Sequence, residues 1–282
     1  MTGHNLNQTS SQLIHEKYQK DGDAVIADYQ NLDFHKHIFL MKKYMDLGPG
    51  KKVLDLGCGT GRLLIELLQT GAEVTGLDTF EEADGIDRKI VEARLNESGY
   101  SAKIIQGSAA KLPFADGAFD LVVSIGMLEH VDPAYRTEML QEIFRIVRPG
   151  GYFFLIAGPT VNTPFDQHIP GHPFPNWLSR ERKLAISEQA GRRQFLEVPW
   201  GISRKELRNA LPGATFTNLY GTYFAIGGGS TGGKFSLNPM ELMVWIKRRF
   251  HLHKLFGGLA RIAYLFGMEH CHILSIRKTA NS

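Results

Sequence analysis

Three glycines at alternate positions, Gly57, Gly59 and Gly61, constrain this chain more than any other feature. They follow Val53-Leu54-Asp55-Leu56, a short apolar run that reads as a strand. They precede Arg62 to Gln69, where Leu63, Leu64, Leu67 and Leu68 fall on one side of a helix. A strand, a glycine turn and a helix N-terminus let a ligand come close to backbone, because glycine has no Cβ and tolerates positive φ.

The residues around the turn narrow the ligand. A phosphate loop ends in Lys-Ser or Lys-Thr, where this chain has Arg62-Leu63. A dinucleotide fingerprint is Gly-x-Gly-x-x-Gly, and the spacing here is Gly-x-Gly-x-Gly. Asp55 would repel a pyrophosphate and suit a cationic amine. The plain alternative is a tight turn in an α/β domain. Residues 53 to 61 resemble the first motif of the class I S-adenosylmethionine-dependent methyltransferases, closest to the small-molecule branch that includes quinone-biosynthesis enzymes. That resemblance is specific through residue 157. It implies S-adenosyl-L-methionine as cofactor, with Asp55, Gly57, Cys58, Gly59 and Gly61 among the groups that hold it.

Further elements follow in the order an α/β sheet requires. Glu73 to Leu77 reads as a second strand ending at Asp78, 23 residues after Asp55. A carboxylate there can accept bonds from both ribose hydroxyls, or it can cap a turn. Thr79 adjoins it. A helix is expected over Ile86 to Ser98, then a strand over Lys103 to Gln106. Ser108 stands where the resembled family carries an acidic residue for the adenine amino group. Its hydroxyl is a weaker acceptor, and Ala109 offers backbone groups. Phe119 to Ser124 reads as a buried central strand. The resemblance lays Ser124 and Ile125 along the cofactor and puts Glu129-His130 at the next helix start. His130 is either a proton acceptor or a structural imidazole. Ala134 to Val147 reads as a helix closed by Arg148-Pro149-Gly150-Gly151, and Tyr152 to Ala157 as the fifth strand.

On this pattern the fold class is α/β: a doubly wound, seven-stranded, mostly parallel sheet of Rossmann-like methyltransferase type, its last strand antiparallel, with helical and loop insertions forming a substrate cap. The expected organisation is a helical cap over 1-47, a cofactor-binding core over 48-158, a substrate-side insertion over 159-200, and the rest of the sheet over 201-282. Residues 1 to 11 are expected to be loosely attached. Helical spacing covers 12 to 46, and the resemblance brings Tyr18, Tyr29 and Phe34 over the ligand, where they serve equally well as packing aromatics.

Gly158 to Trp200 breaks the rhythm with six prolines. Phe165, Phe174, Trp177, Leu178 and Phe195 call for burial, so a lid fits better than a disordered linker. Asp166, His168 and His172 offer three readings. His168 oriented by Asp166 could take a hydroxyl proton, the three could ligate a metal, or the imidazoles could hold the loop by bonding backbone. The expectation is acid–base chemistry or structure, with no metal. Arg180 to Arg193 reads as a solvated helix face, with Arg192 and Arg193 able to meet an acidic substrate group. Ser203 caps a helix with Glu206 at the capping-box position. Strands are expected near Ala214 to Asn218 and Ile273 to Arg277.

Between those strands lies an insertion at about 221-268. Its helix, about Pro239 to Phe266, is divided at Gly257 and Gly258. The basic, aromatic stretch within it could cap the pocket, form a homodimer face, or make peripheral membrane contact through residues 240-266.

The chain has 282 residues, 43% apolar and 22% charged, enough for a sizeable core. A net charge of +3 argues against nucleic acid as partner. Two cysteines and a polar N-terminus suggest a reducing setting, cytoplasmic or at a membrane surface. The expected function is methyl transfer to a small-molecule acceptor, most simply a hydroxyl oxygen. C-methylation of a quinone, sterol or lipid-linked acceptor and a non-catalytic binding protein are the alternatives.

Overall fold

Alternate residues of the central strands bury on two opposite faces, and the fold follows from covering both. The computed structural model describes residues 9–18, 34–80, 87–160, 177–189, 201–226 and 271–279, with isolated helical positions at Leu255, Gly258, Leu259 and Ile262. The helices are α1 (Ser10–Tyr18), α2 (His35–Tyr44), α3 (Arg62–Leu68), α4 (Arg88–Ser98), α5 (Pro133–Ile146), α6 (Arg180–Gln189), α7 (Arg204–Ala210) and α8 (Tyr220–Ala225). The strands are β1 (Lys52–Leu56), β2 (Glu73–Asp78), β3 (Lys103–Gln106), β4 (Phe119–Ile125), β5 (Val147–Ala157), β6 (Thr215–Asn218) and β7 (His272–Arg277).

Among the described residues these strands form one sheet in the order β3-β2-β1-β4-β5-β7-β6. The first five run parallel, and β7 is antiparallel to both neighbours, β5 and β6. Leu54, Leu56, Val122 and Leu155 pack with α5 and α7 on one face. Val53, Leu121, Val123 and Phe154 pack with α2, α3, α4 and Tyr220 of α8 on the other. The helix after β1 and the helix after β4 therefore lie on opposite faces. That places a topological switch point between β1 and β4, where open α/β sheets bind ligands beyond the strand ends.

Several expectations need correction. Ser10 and Ser11 are not loose: α1 begins at Ser10, whose N–H and hydroxyl both donate to the Glu97 carboxylate while Ile14 is fully buried. The fourth helix starts at Arg88, because Asp87 caps it by accepting from the Lys89 N–H. Arg148 to Gly151 belongs to β5 rather than to a free turn, with a register shift against β4. Trp177 is 70% exposed, where burial was expected. The proline-rich stretch before it has no period from which sidedness can be read. Gly258 is helical, and Gly257, the other half of the expected division, lies outside the described residues. The short helix α8 was missed, because Tyr220 to Ala225 spans too few residues to show helical spacing. The Ser203 capping box is present as expected, with Ser203 Oγ accepting from the Glu206 N–H at 3.1 Å.

The base of the 159-200 insertion is pinned. Thr160 and Ile202 form a parallel bridge, and the Ile202 N–H donates to the Pro159 carbonyl. Arg136 of α5, fully buried, donates to the Val131 and Gly201 carbonyls and to Glu206 Oε1. The insertion therefore leaves and rejoins the domain at the carboxyl end of β5.

Candidate functional site

The glycine turn is built for close approach. Gly57, Gly59 and Gly61 have φ of 76°, 53° and 77°, the left-handed region that other residues enter at a cost. A Cβ on Gly57 would stand 3.2 Å from Met127 Cβ, so the loop after β1 touches the loop after β4 at the switch point. A Cβ on Gly61 would meet Val91 Cγ1 at 3.0 Å, which lets α3 and α4 close together. The N–H groups of Gly57 and Cys58 both donate to the Leu77 carbonyl, tying the turn to the end of β2.

Two carboxylates lie behind this turn. Asp55 pairs with Gly76 across β1 and β2, so Asp78 follows two residues on and shares its face. Asp78 Oδ2 accepts from the Gly59 N–H at 2.9 Å, and Oδ1 accepts from the Phe80 N–H at 3.3 Å. Asp55 is 2% exposed, and its Oδ2 finds no hydrogen-bond partner among the described residues. Burial, with the Asp78 charge adding to it, pushes the Asp55 carboxyl up to about 8. Burial and the same two carboxylates raise the Cys58 thiol well above its ordinary value, so it stands as an unreactive neutral group. An orphaned acid in this position suits a cation, because a positive ligand would repay the cost of ionising it.

Other site residues are distributed around this centre. Thr79 directly follows Asp78, and its carbonyl accepts from Gln106 Nε2. Ser108 is exposed and its hydroxyl accepts from the Ala110 N–H at 3.2 Å; Ala109 packs against the core. Ile125 shares the Asp55 face and packs on its core cluster. Ser124 does not share it: strand alternation puts Ser124 on the α5 face, fully buried, with no partner for its hydroxyl among the described residues. His130 ends a short 3-10 turn, Leu128–His130, and is exposed, whereas its neighbour Glu129 is 7% exposed. Asp166, His168 and His172 lie outside the described residues, as do Tyr29, Arg192 and Arg193.

Two features escaped sequence reasoning. Arg94 of α4 is 8% exposed and donates to Thr60 Oγ1 at 3.2 Å, bracing the turn from outside. Burial lowers its pKa to about 10. The signal was its place among Ile90, Val91 and Leu95 on the inner side of α4. His37 of α2 packs its ring against Phe34 at 5.3 Å, Tyr223 at 5.2 Å and Phe154 at 6.5 Å. Phe34 thus packs at the start of α2, with its N–H donating to Glu66.

Residues 54–155, from β1 to β5, match the model of the methyltransferase domain family. The chain is 37% identical over 132 residues to an uncharacterized methyltransferase of Synechocystis sp., covering 47% of this chain and 52% of that protein. It is 30% identical over 166 residues to a demethylmenaquinone methyltransferase of Listeria monocytogenes, covering 56% of this chain and 68% of that one. A solved structure of a candidate sarcosine dimethylglycine methyltransferase from Galdieria sulphuraria shares the fold, with a TM-score of 0.51 over 87% of this chain and 84% of that one at 16% identity. The chain therefore belongs to the S-adenosylmethionine-dependent methyltransferase family. It spans about half to two thirds of the length of the curated relatives it matches.

Proposed function

We propose that this chain transfers a methyl group from S-adenosylmethionine to a small-molecule acceptor, with a hydroxyl oxygen as the attacking atom. The observation that carries the reading is the buried Asp55 carboxyl, whose Oδ2 finds no partner among the described residues, beneath a positive-φ glycine turn at the β1/β4 switch point. The residues present fit the methyl donor. Asp55 would hold its ammonium end with the backbone of Gly57 and Gly59. Asp78 and Thr79 would take the ribose, and Ser108 and Ala109 the adenine edge. Bound there, the donor supplies an electrophilic methyl carbon on a sulfonium sulfur.

The chain's own work is positioning. Holding the acceptor in line with the methyl carbon, and excluding water, supplies much of the rate. Asp55 sits at the ammonium end, which leaves the vicinity of the sulfonium free of excess negative charge that would oppose loss of the cation. The insertion pinned at Thr160 and Ile202 is the acceptor side in this reading. His168, oriented by Asp166, accepts the hydroxyl proton, with His130 as the second imidazole.

A second reading has support of its own. Several relatives are named demethylmenaquinone methyltransferase, which favours carbon methylation of a hydrophobic ring. An activated carbon requires less from a base. The experiment is a turnover assay with phenol, glycan and quinone acceptors, comparing the natural chain with His168→Ala. The oxygen reading expects kcat to fall about a hundred-fold with donor affinity unchanged. Full turnover by the variant would return His168 to the loop scaffold and favour carbon transfer. Donor binding with no turnover on any acceptor would favour a non-catalytic binding protein.

A further inference from the structure

We propose that the cleft between α1, α3 and α4 binds the oxyanion end of a small molecule on the Arg94 guanidinium. The cleft has a volume of about 480 Å³, and Ser11, Arg62, Gln69 and Arg94 are on its walls. The residues of α3 and α4 that pack on the sheet, Leu63, Leu64, Leu67, Val91 and Leu95, do not line it, so it opens on the outer side of the helix layer. Asp55, Asp78 and the three glycines of the turn do not line it either, which separates it from the proposed donor site. Arg94 is 8% exposed, and its Nη1 donates to Thr60 Oγ1 at 3.2 Å. Among the described residues that is its one hydrogen bond, and it forms no ion pair. A buried arginine is ordinarily paired, because a desolvated charge is costly until an opposite charge meets it. Burial, with the Arg62 charge adding to it, lowers the Arg94 pKa to about 10, so the group stays charged at neutral pH.

The two acids on the cleft wall, Glu66 and Glu97, are engaged elsewhere. Glu97 Oε1 accepts from the Ser10 N–H at 2.5 Å and Oε2 from the Ser10 hydroxyl at 2.6 Å. Glu66 Oε1 accepts from the Phe34 N–H at 3.3 Å. Neither bonds Arg94, so an occupant has to bring its own negative charge. A cation would meet two arginines, and an apolar occupant would leave the remaining guanidinium N–H groups without acceptors. The planar fork of those groups matches the oxygens of a phosphoryl or carboxylate group. The volume is that of a small-molecule site, roughly 300–1,000 Å³, rather than of a lone ion. Through the same guanidinium the occupant would touch the group that holds Thr60, between Gly59 and Gly61 of the glycine turn.

The test is scanning fluorimetry of the full chain in sodium phosphate, sodium acetate and sodium chloride at matched ionic strength and pH 7. Phosphate or acetate should raise Tm beyond chloride and should saturate, with half the effect at roughly millimolar concentration. The stronger of the two tells a phosphoryl group from a carboxylate. Phosphate also stabilises folded chains in general, by exclusion from their surface, so the variants decide. Arg94→Gln should weaken the saturable effect at least about ten-fold. Gln69 is exposed on the cleft wall and can be changed without touching the core. Gln69→Arg should strengthen the effect several-fold and Gln69→Glu should weaken it, and a damaged fold would not give the gain. Saturating S-adenosylmethionine should leave the effect in place. Titration with the donor alone reports the methyl-transfer reading, so the two fail independently. No rise beyond chloride, an undiminished rise in Arg94→Gln, equal behaviour of the two Gln69 variants, or displacement of the anion by the donor would overturn the proposal.

Discussion

The Gly59 N–H donates to Asp78 Oδ2 at 2.9 Å, so the turn after β1 and the acid at the end of β2 are one unit. A side chain proposed to bind ribose thus also shapes the loop proposed to bind the ammonium end. Asp78→Ala should weaken S-adenosylmethionine binding about ten- to a hundred-fold, the range for losing one or two hydrogen bonds to a charged group. Asp78→Asn, which keeps an oxygen for Gly59, should recover part of that loss. Calorimetric titration of both variants checks it, and unchanged affinity in Asp78→Ala would remove the ribose assignment.

Asp55 makes stability depend on pH. Its carboxyl is held at about 8 in the folded chain against 3.8 as the ordinary value. The folded state therefore binds the extra proton between those values. The stability this contributes is fully present below about 4 and is lost as pH rises through about 8. The unliganded chain should lose Tm across that window, and Asp55→Asn should flatten the loss. Added S-adenosylmethionine should raise Tm more at pH 8 than at pH 6, because the cation favours the ionised acid. Scanning fluorimetry across pH with and without donor reads all three. A Tm profile that is the same in Asp55→Asn would refute the linkage.

Gly61 has two reasons to be glycine, and they can be separated. Its φ of 77° strains any other residue, and a Cβ would press on Val91 Cγ1. Gly61→Ala should cost about 1–2 kcal/mol from backbone conformation alone, plus the contact. Adding Val91→Ala should relieve only the contact part, so the double variant should lose less than the sum of the single changes. Strict additivity in urea unfolding would show that Val91 does not meet the new side chain.

Arg136 is fully buried and bonds Glu206, which is itself partly exposed. Arg136→Met should destabilise the chain by about 3 kcal/mol, since it strips a buried network of its donor and leaves two carbonyls without one. Glu206→Gln, which keeps an oxygen acceptor, should cost clearly less. Because Arg136 also holds Gly201, the Met variant should expose the 159-200 insertion to protease before the rest of the chain unfolds. Simultaneous cleavage everywhere would contradict that anchoring role.

Much of this architecture was legible from residues. The glycine spacing and the acid before it located the turn, and apolar runs of strand length located β1 to β5. What was hidden depended on contacts distant in sequence. Ser10 was read as loose because nothing near it reveals Glu97. Asp87 displaced a helix start because one cap outweighs the apolar Ile86. Ser124 and Ile125 looked equivalent at the end of β4, and only strand register shows that Ile125 alone shares the face of Asp55. Arg94 looked like one more charge on a helix, and its burial came from the close approach of α4 to the turn. Asp166 and His168 lie outside the described residues, so acceptor chemistry still rests on their sequence pattern.

The central claim is that Asp55, Asp78 and the glycine turn form a site for S-adenosylmethionine. Calorimetric titration of the purified chain with S-adenosylmethionine and, separately, NADH tests it most directly. The account predicts saturable one-to-one binding of the methyl donor, a proton released on binding near pH 7, and no heat from NADH. Binding of NADH, or no binding of the donor by a folded chain, would contradict it.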